Sequence, residues 1–296
     1  VGTRIAHFER AFHGRSGYTM SLTNTDPRKT KWFPKFDWPR LATPSLSFPV
    51  TPAVLENVKK VEDVAIAQLK DALVRFPSDV AAVIIEPIQG EGGDNHFRPE
   101  FLQRLRDLCD EAEILLIFDE VQTGFGLTGT WWSHEQLGVT PDIFSFGKKT
   151  QQCGIAATAR VDDVDSVFKV PSRINSTWGG NLVDMVRCTR YVEVIEEYRL
   201  LENVRRVGPY ALARLAELAT RFPQFVSNVR GRGLMCAFDL ATPALRDRLK
   251  DLLEEDGVII LPCGERSIRF RPVLDFTTQD ADEAAKRLAA GLAKLG

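Results

Sequence analysis

The chain has 296 residues, a formal charge of −2 and 44% hydrophobic residues, enough for a sizeable core in one large domain or a large domain plus a small one. Balanced charge excludes a global field that would draw nucleic acid or an anionic membrane, and no apolar run approaches membrane-spanning length or resembles a signal peptide. The cysteines (Cys109, Cys153, Cys188, Cys236 and Cys263) are scattered without a CxxC pair; they read as reduced thiols in a cytoplasmic protein, not as a disulfide framework.

The opening "RIAHFERAFHGRSGY" predicts a strand running into a turn at Gly14 and Gly17. Residues 20–52 hold six prolines and little periodicity; a loop this long in a compact protein is usually functional or an interface arm. Its basic, aromatic stretch "RKTKWFPKFDWPR" reads as a surface or interface loop in preference to a nucleic-acid platform. Apolar residues at helical spacing from Val54 to Phe76 predict an amphipathic helix.

A rhythm follows. "VAAVIIEP" (80–87), "ILLIFDE" (114–120) and "DIFSFGK" (142–148) read as buried strands, separated by a helix over 99–112 and a short one around 131–137. Apolar runs alternating with helices indicate parallel strands covered on both faces, with the ligand beyond their carboxyl ends. Glu86, Asp119 and Lys148 all lie at such ends, so one pocket is expected to collect them. Beyond residue 181 the pattern changes: helices over 182–198 and 200–222, two strands within 225–240, a helix over 243–255, strands in "GVIILP" and "SIRFRPVL", and a last helix over 279–295 opened by the capping sequence "TTQD". This divides the chain into an α/β large domain (1–184) and a small α+β domain (185–296).

A lysine that can lose its proton condenses with aldehydes, and pyridoxal phosphate is an aldehyde that a protein can hold permanently; its ring nitrogen needs a carboxylate partner to act as an electron sink. Asp119 and Lys148 supply both parts, although a structural ion pair is the simpler reading of two such residues alone. Glu86, Glu91, Asp94, His96, Asp119 and Glu120 also invite a metal-site reading, which no HExxH motif supports; His96 reads as a surface residue.

"LLIFDEVQTGFGLTG" and "PDIFSFGK" together resemble the signature of class III pyridoxal-phosphate aminotransferases, which have the fold-type I architecture. "FHGRSGYTMSLTN", "EPIQGEGGD", "NSTWGGN" and "RGRGLM" extend the resemblance over essentially the whole chain, and "FPKFDWPR", "GEGGDNHFRPEF" and "PSRINSTWGGN" resemble its L-lysine 6-aminotransferase branch. Gln152 departs from the small or apolar residue usual there. The resemblance implies that Lys148 forms the Schiff base with pyridoxal 5'-phosphate and that Lys149 is a structural or electrostatic neighbour. It implies that Asp119 pairs with the ring nitrogen, Gln122 bonds the phenolic oxygen and Phe12 stacks on the ring. Thr177 would reach the cofactor phosphate of the second subunit of a homodimer, with Asn175 beside it.

The same resemblance implies the substrates L-lysine and 2-oxoglutarate. Arg269 would bind the carboxylate near the cofactor, Glu91 would neutralise Arg269 when lysine leaves it without an anion, and Arg15 would clamp the distal carboxylate. Arg271, two residues from Arg269, is expected to point the same way along a strand. Ornithine, 4-aminobutyrate or another ω-amine stays open as the donor. The family carries a Gly/Ser-rich phosphate loop at a helix N-terminus, and no such loop is found here. The expectation is therefore of an incomplete copy of an active enzyme that, as these 296 residues alone, binds cofactor poorly or serves only in assembly.

Overall fold

The computed structural model describes residues 2–173, 177 and 179–296. In chain order come β1 (Arg4–Phe8), α1 (Thr19–Leu22), β2 (Arg40–Leu41), α2 (Pro52–Arg75), β3 (Val80–Ile85), β4 (Ile88–Gln89), β5 (Asn95–His96), α3 (Pro99–Glu111), β6 (Leu115–Asp119), β7 (Ile143–Phe146) and β8 (Gly154–Ala157). They continue with α4 (Leu182–Glu197), α5 (Leu200–Arg221), β9 (Val226–Arg232), β10 (Met235–Leu240), α6 (Pro243–Glu255), β11 (Leu261–Cys263), β12 (Ser267–Phe270) and α7 (Thr278–Ala293).

Six strands form one sheet in the order β2-β1-β3-β6-β7-β8. All neighbours are parallel except β7 and β8. The parallel strands are apolar along most of their length because helices cover them. Thr51 caps α2 by accepting from Val54 N at 3.3 Å, and Pro52 occupies its first turn, where no N–H is required. Leu69 of α2 and Phe101, Leu102 and Leu105 of α3 are buried with Phe8, Ile85 and Phe118 of the sheet. Phe8 meets Phe101 edge-on, ring centroids 6.0 Å apart. Each such fully buried side chain contributes about 1.5–3 kcal/mol relative to exposure, and together they hold the strand ends in register.

The second sheet, β11-β12-β10-β9, is antiparallel. Its core joins Phe238 and Ile268 to Leu218 of α5, Leu249 and Leu253 of α6, and Leu288 and Leu292 of α7. The expected cap of α7 is present: Thr277 Oγ1 accepts from Asp280 N at 3.1 Å while Asp280 accepts from Thr277 N at 2.9 Å. A third cluster, including Ile88, Leu127, Val204, Val207 and Leu234, packs α5 against the loops that follow the first sheet's strands.

Two expectations need correction. The run "GVIILP" is a strand only from Leu261; Ile259 is 89% exposed, so hydrophobicity there reflects no packed strand. Arg271 does not share a strand with Arg269, because β12 ends at Phe270. The long Pro-punctuated loop holds only short elements, and on its surface Tyr18, Phe36 and Trp38 stack with centroids 5.2–6.3 Å apart.

Candidate active site at the strand ends

Asp119 is the last residue of β6, level with Ser145 of β7. Its carboxylate is buried and held at both oxygens: Oδ1 accepts from Val121 N at 3.1 Å and from Ser145 Oγ at 3.0 Å, and Oδ2 lies 2.8 Å from His13 Nδ1. Burial alone would raise its pKa, but the bond and charge of His13, with the other two donors, bring it below the usual carboxylate value. His13 answers in kind. Burial works against its charge, yet the bond to Asp119 and the charges of Asp119 and Glu86 raise its pKa. Glu86, just past β3, accepts from Phe12 N at 3.0 Å and from Gly90 N at 2.9 Å. Burial, reinforced by Asp119 and opposed by His13 and the two N–H donors, pushes it up to about 7. His13 and Glu86 thus tie Phe12 and the Asp119 strand end into one buried unit. The sequence reading assigned His13 no role; its signal was adjacency to Phe12 in "FHG", immediately after a strand.

The lysines divide differently from the charge pair they seem to be in sequence. Lys149 is the inner one: its Nζ donates to Gln122 O at 2.7 Å and to Val121 O at 3.4 Å. Burial, then the charges of Arg271 and Lys148, push it down to about 7 against the pull of Glu120. Lys148 is exposed, with φ of 53° at the start of a short 3-10 turn. Lys148, Lys149, Gln122 and Arg271 line a cleft of about 560 Å³ against α4 and the start of α5. Glu86 and Asp119 act on His13 in the interior, and Lys148 lines the cleft with Gln122.

Around Phe12 the charges gather. Lys29 forms an ion pair with Glu91, and its Nζ lies 5.4 Å from the centre of the Phe12 ring. Burial lowers the Lys29 pKa; Asp26 opposes this, and the nearby positive charges of Arg15 and Arg269 add to it. Arg15 and Arg269 are in no ion pair among the described residues. The loop carrying Glu91 is held against the end of β1, because a Cβ at Gly92 would collide with the Arg10 carbonyl oxygen. Arg271 is committed elsewhere: its guanidinium grips both oxygens of buried Asp94 at 2.5 and 2.6 Å. Lys29 had drawn no attention in the sequence, where it is one of several loop cations.

Thr177 is an exposed turn residue, and Asn175 lies outside the described residues. His96 is not on the surface. It is 6% exposed against Phe48, and burial, with Arg230, Arg232 and Arg271 nearby, pushes its pKa down to about 3. The acids of the metal reading are dispersed among other partners. Glu120 accepts from Ser133 N and His134 N at 3.0 and 2.9 Å, and Asp94 holds Arg271. Among the described residues no helix is long and apolar enough to cross a membrane.

The donor set suits pyridoxal 5'-phosphate. A buried carboxylate kept ionised by His13 matches a cationic ring N–H. Phe12 offers a flat half-buried ring tied to that same unit, and Gln122 and Lys148 bring an amide and an amine to one cleft.

Residues 2–292 match the family model described as aminotransferase class-III. The chain is 54% identical over 294 residues to L-lysine-epsilon aminotransferase of Mycobacterium tuberculosis, covering 99% of this chain and 65% of that protein. It superposes on a solved lysine aminotransferase from M. tuberculosis in the internal aldimine form with a TM-score of 0.97 and 53% identity, covering 100% of this chain and 68% of that one. A 4-aminobutyrate aminotransferase of Dictyostelium discoideum is 38% identical over 272 residues, 91% of this chain and 54% of the relative. The chain thus spans 65% of the length of the curated lysine relatives it matches. With a family match running almost end to end, and the parallel sheet that carries Asp119 and Lys148 at neighbouring strand ends, the chain belongs to the class III aminotransferases.

Proposed function

We propose that the whole protein is a pyridoxal-phosphate-dependent aminotransferase that moves the ε-amino group of L-lysine to 2-oxoglutarate, giving 2-aminoadipate 6-semialdehyde and L-glutamate. The observation that carries this reading is the grouping of Arg15, Arg269 and Glu91 beside Phe12. Lysine offers its ε-amine to the reaction centre and keeps its carboxylate distant. 2-Oxoglutarate needs one carboxylate close to the centre and a second far from it. A near guanidinium therefore faces an anion in one half-reaction and none in the other, and an unpaired buried charge is costly. Arg269 takes the near carboxylate, Arg15 the distal one, and Glu91 is the internal anion that substitutes when the near position is empty.

When bound, the cofactor supplies the electron sink. Asp119, ionised beside His13, holds the proton on the ring nitrogen. Phe12 would cover one ring face, the Gln122 amide would donate to the phenolic oxygen, and Thr177 would serve the phosphate of the second subunit in a cytoplasmic homodimer. Lys148 Nζ takes the proton from the amine-bearing carbon of the substrate and later returns one, a general base and then a general acid.

The likeness to a 4-aminobutyrate aminotransferase keeps another ω-amine as the second reading. Initial rates with lysine, ornithine and 4-aminobutyrate, each with 2-oxoglutarate, decide between them. Lysine is expected to have the highest kcat/KM, and a higher value for another donor overturns the lysine assignment.

A further inference from the structure

Lys149 is half-buried and has no part in the proposed chemistry. Its amine bonds main-chain carbonyls and not a carboxylate: Gln122 O at 2.7 Å and Val121 O at 3.4 Å. A lysine amine is costly to desolvate, and burial pushes this one down to about 7. What offsets that cost lies in the turn that follows β6.

That stretch begins as a single α-helical turn, with Gly124 N donating to Glu120 O at 2.8 Å. Had the helix continued, Phe125 N and Gly126 N would have served the carbonyls of Val121 and Gln122. The chain instead turns left-handed at both residues, with φ of 60° and 91°. Their N–H groups donate to Trp131 O, at 2.6 and 3.4 Å. Val121 O and Gln122 O are thereby left as the orphan carbonyls of a helix end, which need other donors wherever water is kept away. The Lys149 amine meets these same two atoms. A lysine is a favourable cap at the carbonyl end of a helical turn, and even without its extra proton the amine keeps an N–H for each carbonyl.

The capped segment carries the site. Val121 N donates to Asp119 Oδ1 at 3.1 Å, which ties the turn to the carboxylate. The Gln122 side chain lies against Gly90, where a Cβ would stand 3.0 Å from both Cγ and Cδ, and Gly90 N donates to Glu86. Gly90 thus bounds the Gln122 side chain while Lys149 fixes its main chain. Lys149 follows Lys148 in one 3-10 turn, so its amine also joins the end of β7 to the end of β6.

We propose that Lys149 is a positioning residue: by capping the carbonyls of Val121 and Gln122 it holds the Gln122 amide where the phenolic oxygen of pyridoxal 5'-phosphate binds. This role rests on the reading of Gln122 as the donor to that oxygen. It differs from a charge effect on neighbouring Lys148 because its consequence passes through Gln122.

The test uses the whole protein as wild type, Lys149→Met, Lys149→Arg, Gln122→Ala and the double variant Lys149→Met/Gln122→Ala. Amide hydrogen exchange of the cofactor-free protein reads the turn itself. Fluorescence titration gives the Kd for pyridoxal 5'-phosphate, and the pH at which the absorbance of the reloaded protein changes reports on the phenolic oxygen. Lys149→Met is expected to speed exchange across residues 120–126 and to raise the Kd about three- to tenfold. Tenfold is about 1.4 kcal/mol, the size of one ordinary hydrogen bond. The absorbance transition should move in the same direction as in Gln122→Ala. Lys149→Arg should restore the exchange protection and most of the affinity, and Lys149→Met should add nothing to Kd or transition in the Gln122→Ala background. If Lys149→Met does not fold, Lys149→Gln takes its place with the same expectations. Unchanged exchange across 120–126, or an undiminished effect without the Gln122 amide, overturns the role of Lys149. A Gln122→Ala protein with wild-type Kd and transition overturns the reading of Gln122 itself, a failure recognisable before any Lys149 variant is compared.

Discussion

His13 Nδ1 lies 2.8 Å from Asp119 Oδ2 in the interior, and the two groups move each other's pKa in opposite directions. The pair stabilises the fold in the window between those shifts. The contribution of Asp119, whose pKa is lowered, is present above its ordinary value of 3.8 and is lost as pH falls through the folded value. That of His13, whose pKa is raised, is complete below 6.5 and is lost as pH rises through its folded value. Near neutrality the unit therefore offers an anion already desolvated and oriented, which is what a cationic ring nitrogen requires.

Glu86 carries the opposite sign. Its folded pKa of about 7 exceeds the ordinary 4.5, so the fold binds the extra proton and stability falls as pH rises between those values. Ionising it costs on the order of 3 kcal/mol at about 1.4 kcal/mol per pKa unit. Glu86→Gln removes that slope. It also sets an amide N–H against one of the donors, Phe12 N or Gly90 N, lowering stability by about 1–3 kcal/mol. Urea unfolding from pH 4.5 to 7 is expected to give a profile that starts lower than wild type at pH 4.5 and runs flatter, so that the two converge toward pH 7. An unchanged slope shows that Glu86 titrates normally.

The two lysines make a second expectation. Lys148→Ala should abolish covalent attachment of pyridoxal 5'-phosphate, read by borohydride reduction and peptide mass spectrometry of the whole protein, and reduce activity by at least about 10²-fold, the lower range for a lost acid–base group. Lys149→Met should keep the attachment. Because the Lys149 pKa is pushed down to about 7, the folded state binds fewer protons than the unfolded chain between 7 and 10.5, so wild-type stability gains from rising pH there. Lys149→Met should lose that gain. Attachment at residue 149 instead of 148 would reverse the two roles.

How far the sequence announced this site follows from which interactions are local. The runs ending at Glu86, Asp119 and Gly147 were legible because covered parallel strands must be apolar throughout, so a carboxylate or lysine marks their end. The cap of α7 was legible because Thr277 and Asp280 are three residues apart and bond within one turn. β8 was missed: Gly154–Ala157 is small and short, and pairs antiparallel only because β7 offers a free neighbour. His96 was misread because it packs against Phe48, which lies far from it in sequence. The pairing of Lys29 with Glu91 and the positive φ of Lys148 depend on loop geometry, which no periodicity encodes.

Arg269 and Arg271 give the third expectation, because neighbouring arginines have unlike tasks. Arg271 is largely covered, its side chain 17% exposed, and clasped by Asp94, so Asp94→Ala leaves its guanidinium without a counter-charge. The expected loss is about 3–5 kcal/mol, the usual cost of breaking a buried pair from one side. It should appear as a lower melting temperature, with KM for 2-oxoglutarate nearly unchanged in the protein that remains folded. Arg269 is half-buried and free of ion pairs among the described residues, so Arg269→Ala should leave the melting temperature within a few degrees of wild type. Its effect belongs to the substrate: losing a charge-assisted contact worth about 1.5–3 kcal/mol should raise KM for 2-oxoglutarate about 10- to 200-fold. The lysine half-reaction should change much less, since lysine brings no carboxylate to that guanidinium. If Arg269→Ala instead unfolds the protein while Asp94→Ala selectively raises KM for 2-oxoglutarate, the two arginines exchange roles and the near carboxylate belongs to Arg271.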